Sequence, residues 1–404
     1  MANSSFIIPH SSFQEVYRCM KCGNCREVCP VFLETGHEAM VARGRVQLLK
    51  AALENRLDLT DGLRDRVYAC LNCNACYVTC PCGIEVDQLI LASRIAMMRA
   101  GKPLPDGLRL LRDRIGAEQN PYGEKQSERG DWLPEKYRKP RGSPVVFHAG
   151  CAISYANNRV GKMVLAILES AGAEFMMMGD EEQCCGDPIL RMGDVEGAEA
   201  QRRRNVAEYR KWGVETIVTS CAGCLKMFKH HYSVAGDQLS VAGKQEPATG
   251  HQPPATNHEP PATAAFRVLH TLEWFAQLIG DGRLKPQKPL AKRVAYFDGC
   301  DIGRHSGVYE APRQVLRSIP GVELVEFPAH HESSRCCGGP LMASDPAMAA
   351  AIASKRVREA LDVGAEMLAV ACPTCMVNLK DGANRLGAKI EIQDVTALLH
   401  RSVK

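Results

Sequence analysis

The 404-residue sequence contains no apolar run near the roughly 18 residues that a membrane-spanning helix requires. Its opening, MANSSFIIPHSSFQEVYR, places no charged segment before the short FII patch, so a cleaved signal peptide is not expected. Aromatic residues make up only 6%, and 50 Lys+Arg against 46 Asp+Glu leave a net charge of +4. That charge is too small and too evenly spread to argue for a nucleic-acid partner. The one basic run, Arg202–Arg203–Arg204, falls in a helical pattern and reads as a solvated face. No G-x-G-x-x-G and no G-x4-G-K-[ST] is present, so nothing suggests a site for flavin, nicotinamide or nucleotide.

Cysteine, by contrast, is abundant, with 19 residues. An odd count in a long chain without an export signal argues against a disulfide scaffold and for thiols held as metal ligands in a reducing cytoplasm. The cysteines form two kinds of repeat, each present twice. CMKCGNCREVCP supplies Cys19, Cys22, Cys25 and Cys29, and CLNCNACYVTCP supplies Cys70, Cys73, Cys76 and Cys80. The second kind is a lone cysteine, a CCG-x-P and a C-x-x-C. It comprises Cys151, Cys184, Cys185, Cys221 and Cys224, then Cys300, Cys336, Cys337, Cys372 and Cys375. Cys82 has no place in either pattern and reads as a buried, inert thiol.

The period of the apolar residues divides the chain. Val46, Leu49 and Leu53, then Leu63, Val67 and Cys70, follow helical spacing, with Asp61 as the expected cap, and 86–100 continues as helix. No strand pattern precedes residue 144. From there short apolar strands alternate with helices: VVFHAG, EFMMMG and TIVTS, then VAYFDG, LVEFPA and MLAVA. This alternation implies parallel strands with right-handed crossovers, and it puts every cysteine group just past a strand's carboxyl end. The expected architecture is α + α/β. A helical domain carrying the first two cysteine runs spans 1–115 and a Pro/Gly/charged linker 116–144, with one α/β unit over 145–290 and a second over 291–404. The Pro/Ala/Thr-rich stretch 233–264 reads as a disordered insertion within the first unit.

C-x2-C-x2-C-x3-C-P is the bacterial ferredoxin run, in which the fourth cysteine serves the other cluster when two runs are present. One [4Fe–4S] cluster is therefore assigned to Cys19, Cys22, Cys25 and Cys80, and the other to Cys70, Cys73, Cys76 and Cys29. Zinc, the competing metal, prefers tetrahedral sets with longer loops between pairs. Adjacent cysteines fit an ordinary zinc site poorly, and five thiolates exceed the four that a cubane takes. A vicinal disulfide with a C-x-x-C relay is the alternative for these sets.

Two ferredoxin runs followed by two CCG repeats resemble the heterodisulfide reductase D-subunit family, which includes iron–sulfur subunits of glycolate oxidase, D-lactate dehydrogenase and anaerobic glycerol-3-phosphate dehydrogenase. The resemblance runs from about Phe13 to about Arg401, apart from the insertion. It implies two cubane clusters, and one or two further non-cubane [4Fe–4S] clusters held by the five-cysteine sets. It also implies an electron-transfer subunit relaying electrons between a flavoprotein or reductase partner and another carrier. A membrane haem or quinone protein would be a further partner, with the chain cytoplasmic or peripheral to the inner membrane. The alternative is a catalytic subunit that cleaves a disulfide at the CCG clusters; a redox sensor or scaffold is a third reading. The family shares an architecture rather than a reaction. ARGR (Arg43, Gly44, Arg45) recurs in glycolate-oxidase-like relatives, with a helix-surface role or contact with a cluster or subunit both open. His148, His305, His330 and His331 lie near CCG cysteines and could pass protons, but nearness in sequence is not hydrogen-bond geometry.

Overall fold

The computed structural model describes residues 14–232 and 266–403, so the insertion 233–264 lies outside the described residues. The helices of eight or more residues are α1 (Ala42–Leu53), α2 (Asp61–Tyr68), α3 (Val86–Arg99), α4 (Asp106–Glu118), α5 (Asn158–Ser170), α6 (Val195–Lys211), α7 (Thr271–Gly280), α8 (Glu310–Ser318), α9 (Pro346–Asp362), α10 (Pro373–Leu386) and α11 (Val395–Val403). The strands are β1 (Val145–His148), β2 (Thr216–Thr219), β3 (Arg267–His270), β4 (Lys292–Tyr296), β5 (Val322–Val325), β6 (Met367–Val370) and β7 (Glu391–Asp394). The class is α + α/β, as expected.

Residues 14–100 fold as helices around Val46, Leu49, Leu63, Val67, Leu89 and Ile90, all buried. The cap of α2 is Thr60 rather than Asp61: its Oγ1 accepts the Leu63 amide at 3.2 Å, and Asp61 becomes the first helical residue. A carboxylate there still faces the positive helix end. Two single turns, Cys25–Val28 and Ala75–Val78, pack together and lay the two cysteine runs side by side.

The first α/β unit has the parallel order β1-β2-β3, and the second has β5-β4-β6-β7. EFMMMG, expected as a strand, contributes one bridge to β1, where Phe147 N–H donates to Met176 O and Met176 N–H to Val145 O, both at 2.9 Å. With that bridge counted, both units share one strand order. The strand stops because Gly179 turns left-handed against Arg138, whose carbonyl would lie 1.9 Å from any Cβ added there.

That contact belongs to the stretch 116–144, which packs rather than merely links. Helix α4 runs on to Glu118, and Arg129, Trp132 and Leu133 are buried. Arg202, expected on a solvated face, is also buried and pairs with Glu199 at 2.8 Å.

The two units meet reciprocally. Helix α7, last of the first unit, packs on α8, first of the second, while α11 packs on α5. This exchange is the isologous contact of a symmetric dimer, made within one chain. The helical N-terminal part docks on both units. Tyr68 Oη donates to Met192 O at 2.9 Å, and Lys355 Nζ pairs with Glu34 at 2.8 Å.

Candidate metal centres

Each ferredoxin-type run bends twice into the left-handed region, at Lys21 and Gly23 in the first and at Asn72 and Asn74 in the second. These are matching positions, and three of the six non-glycine residues with positive φ in the described chain are among them. Such backbone costs about 1–3 kcal/mol per residue and persists where the surroundings enforce it. Here it curls each loop so that its thiols face inward.

They face two separate cavities. One is lined by Cys19, Cys22, Cys25, Cys76, Cys80 and Cys82, the other by Cys29, Cys70, Cys73 and Cys76. Cys29 and Cys80 thus lie across from their own runs, beside the other one, as crossed ligation requires. Cys82, expected as a buried thiol, is half-buried on the wall of the first cavity, and its carbonyl accepts from Arg18 Nη2 at 2.6 Å. Of the 19 thiols, Cys22 alone is exposed.

The ARGR segment serves both cavities from α1: Arg43 lines the first and Arg45 the second. Gly44 lies against the preceding turn, where an added Cβ would stand 1.9 Å from Glu38 O.

In the α/β units the glycine after each cysteine pair is left-handed, Gly186 at φ +92° and Gly338 at φ +93°. It turns both thiols of the pair inward. The ten thiols then form one continuous line. Cys151 meets Cys184, then Cys185, Cys224 and Cys221. Cys221 meets Cys372 of the second unit, and Cys375, Cys337 and Cys336 follow, with Cys337 Sγ 3.3 Å from Cys375 Sγ. Cys336 ends the line between Cys300, at 3.8 Å, and Cys73 of the ferredoxin region.

The donor chemistry suits a soft, electron-poor centre. A hydrogen bond from the Cys336 thiol pulls Cys73 down to about 6 against the effect of burial. Hydrogen bonds from neighbouring thiols likewise lower Cys185, Cys337 and Cys372. Burial pushes Cys29 up to about 11 and raises Cys76, so those thiols bind metal only by releasing a proton. Among the described residues no three His, Cys, Asp or Glu side chains are gathered as they would be about a single ion. The thiols ring cavities instead, which fits iron–sulfur clusters.

The histidines near the cysteines are engaged elsewhere. His148 is buried against Tyr209 Oη at 2.8 Å, and burial lowers it to about 4. His305 Nε2 bonds Asn72 O at 2.9 Å, and His331 pairs with Glu310 at 2.9 Å and with His330 at 2.6 Å.

Residues 15–84 match the 4Fe-4S dicluster domain, and 145–229 and 294–380 each match the cysteine-rich domain. The sequence is 30% identical to the D-subunit of the dihydromethanophenazine:CoB–CoM heterodisulfide reductase of Methanosarcina barkeri, over 95% of this chain and 93% of that one. The chain belongs to the heterodisulfide reductase D-subunit family. The corresponding Methanosarcina acetivorans protein is 31% identical, over 96% and 94% of the two chains. The EtfAB:quinone oxidoreductase of Syntrophomonas wolfei is 25% identical, over 96% of this chain and 58% of that one. A hypothetical protein from Helicobacter pylori shares the fold, with a TM-score of 0.58 at 11% identity, covering 98% of this chain and 73% of that one. The protein is thus an iron–sulfur component of an oxidoreductase family. No helix among the described residues is long and apolar enough to cross a membrane.

Sequence reasoning missed two arginines beside the thiols. Arg129 sets both Nη atoms 3.6 Å from Cys151 Sγ, and Arg304 Nε donates to Cys73 O at 2.7 Å. Neither lies in a cysteine motif, and no local pattern marks them.

Proposed function

We propose that the chain relays electrons between a redox partner and a second carrier through iron–sulfur clusters. Two [4Fe–4S] clusters would be held by Cys19, Cys22, Cys25 and Cys80, and by Cys29, Cys70, Cys73 and Cys76. One further, non-cubane cluster would lie in each five-cysteine set, with domain limits near 115, 145 and 290. When bound, such clusters supply reversible one-electron transfer. The observation that carries this reading is the unbroken run of thiols from Cys73 through Cys336 to Cys151, which links the ferredoxin cavities to both α/β units.

The outer end of the relay is the first cavity. Cys22 is exposed there, and Tyr17, Met20, Tyr77 and Val78, which flank the cysteines of the two runs in sequence, are four of the eight exposed large apolar residues in the described chain. A flavoprotein or other redox subunit would dock on that face. Anaerobic titration with a low-potential reductant should load about one electron per filled site, so about four per chain. Iron-replete protein that accepts no electrons would overturn the relay.

One observation favours a second reading, disulfide cleavage between the α/β units: Cys221 and Cys372 are neighbours across the reciprocal interface, so the two five-thiol sets face each other. Oxidised protein mixed with a small thiol decides between them. A relay gives no new paramagnetic signal. A disulfide reductase gives one, and loses it in Cys221→Ser or Cys372→Ser.

A further inference from the structure

The two ferredoxin-type cavities differ in their charge. At the first, Arg43 is neutralised by Glu38, with Nε 2.6 Å from Oε1. At the second, three arginines from three parts of the chain converge on the loop that carries Cys70 and Cys73. Arg45 of α1 lines the cavity and donates through Nε to Arg66 O at 2.7 Å. Arg94 of α3 donates through Nη2 to Cys70 O at 2.6 Å and to Val67 O at 3.1 Å, and through Nη1 to Arg191 O at 2.7 Å. Arg304 of the second α/β unit donates to Cys73 O at 2.7 Å and, through Nη1, to Glu332 O and Ser334 O.

All these acceptors are neutral carbonyls, and no carboxylate among the described residues pairs with any of the three. Arg45 and Arg94 are 2% and 5% exposed. Each of the three also keeps one buried nitrogen without a hydrogen-bond partner: Arg45 Nη2, Arg94 Nε and Arg304 Nη2. Asp87 lines the same cavity, yet burial raises its pKa and so weakens it as a counter-ion. A guanidinium does not shed its proton, and a buried cation without a counter-charge is expensive. Two such cations, with half-buried Arg304 beside them on the same loop, call for a nearby anion.

We propose that Arg45, Arg94 and Arg304 are the built-in counter-charge of the second ferredoxin-type cluster, positioning residues that make it easier to reduce than the first. This rests on the cluster assignment above. A cluster in four thiolates is anionic and gains a further negative charge on reduction, so fixed cations favour its reduced form. Electrons entering at exposed Cys22 would then fall inward, to the site whose Cys73 touches Cys336. Arg304 ties that step together, since it grips the Cys73 loop and the turn before Cys336 at once.

The test is a redox titration of the anaerobically purified protein, followed by paramagnetic resonance, with iron counted in every sample. In the wild type the second site should reduce first. Arg45→Gln should lower its reduction equilibrium constant at least tenfold, a shift of about 59 mV for one electron, with the first site unmoved. Arg45→Lys should restore most of that loss, and Arg43→Gln should leave the second site where it was. Arg304→Gln repeats the test from another domain in case Arg45→Gln does not fold. Unchanged potentials in Arg45→Gln and Arg304→Gln at full iron content would overturn the proposal. So would loss of second-site iron in both, since that would make the arginines scaffold only. A wild type without iron would instead overturn the cluster assignment itself.

Discussion

Replacing Arg129 by Met removes the cation from one of the most deeply buried ion pairs in the chain. Arg129 and Glu182 expose only 1% and 3% of their side chains, with Nη2 2.7 Å and Nε 3.2 Å from Glu182 Oε1. Glu182 also accepts the Ala149 and Gly150 amides at 2.8 and 2.9 Å, which fixes the turn leading into Cys151. Met leaves that carboxylate buried without its cation, a change that costs about 3–5 kcal/mol. The double variant Arg129→Met/Glu182→Leu removes both charges and should recover much of the loss, so the pair is strongly non-additive. Urea midpoints of the wild type, Arg129→Met, Glu182→Leu and the double variant measure this. Although burial opposes it, His148 and Arg129 hold Glu182 below the ordinary glutamate range. Its stabilisation is therefore present above the unfolded pKa and is lost as pH falls through the folded one, and Arg129→Met should weaken that acid-side dependence. A single variant within about 1 kcal/mol of wild type would refute the reasoning.

Cys25→Ser should disturb the first ferredoxin-type cluster and Cys29→Ser the second, as the cavity walls place them; loss of the same resonance signal in both would refute the crossing. Gly44→Ala should force α1 off the Glu38 carbonyl, at a cost of about 3 kcal/mol or more, and lower iron retention at both cavities; a variant of wild-type midpoint and iron content would contradict the close approach. Asp394 is buried, and burial raises it to about 6. The fold thus favours its protonated form and loses stability, by up to about 3 kcal/mol, as pH rises through that value. Asp394→Asn should flatten the profile between about pH 4 and 6, and an unchanged slope there would remove the cause.

Much of the site was legible because ligand spacing is local. Cys19 to Cys25 and Cys70 to Cys76 each wrap within one loop, and the CCG glycine needs only its own backbone to turn Cys184–Cys185 and Cys336–Cys337 inward. The strand–helix alternation likewise marks β1, β2, β4, β5 and β6, since each is a short apolar run after a turn. It passes over β3 and β7, edge strands whose RVLH and EIQD carry too few apolar residues to stand out from the helices that follow them. What stayed hidden elsewhere depends on distant partners. Arg304 reaches Cys73 across 231 positions, and Arg129 reaches Cys151 from a stretch whose composition reads as linker. EFMMMG is apolar enough for a strand, but the packing of Arg138 on Gly179 ends it after one bridge. The Cys221–Cys372 contact follows from how two units dock, which no periodicity within either unit encodes.

Metal analysis of anaerobically purified, full-length protein tests the central claim most directly. Four filled [4Fe–4S] sites give about 16 irons per chain, and the two cubanes alone about 8. Iron near zero with stoichiometric zinc would contradict the account.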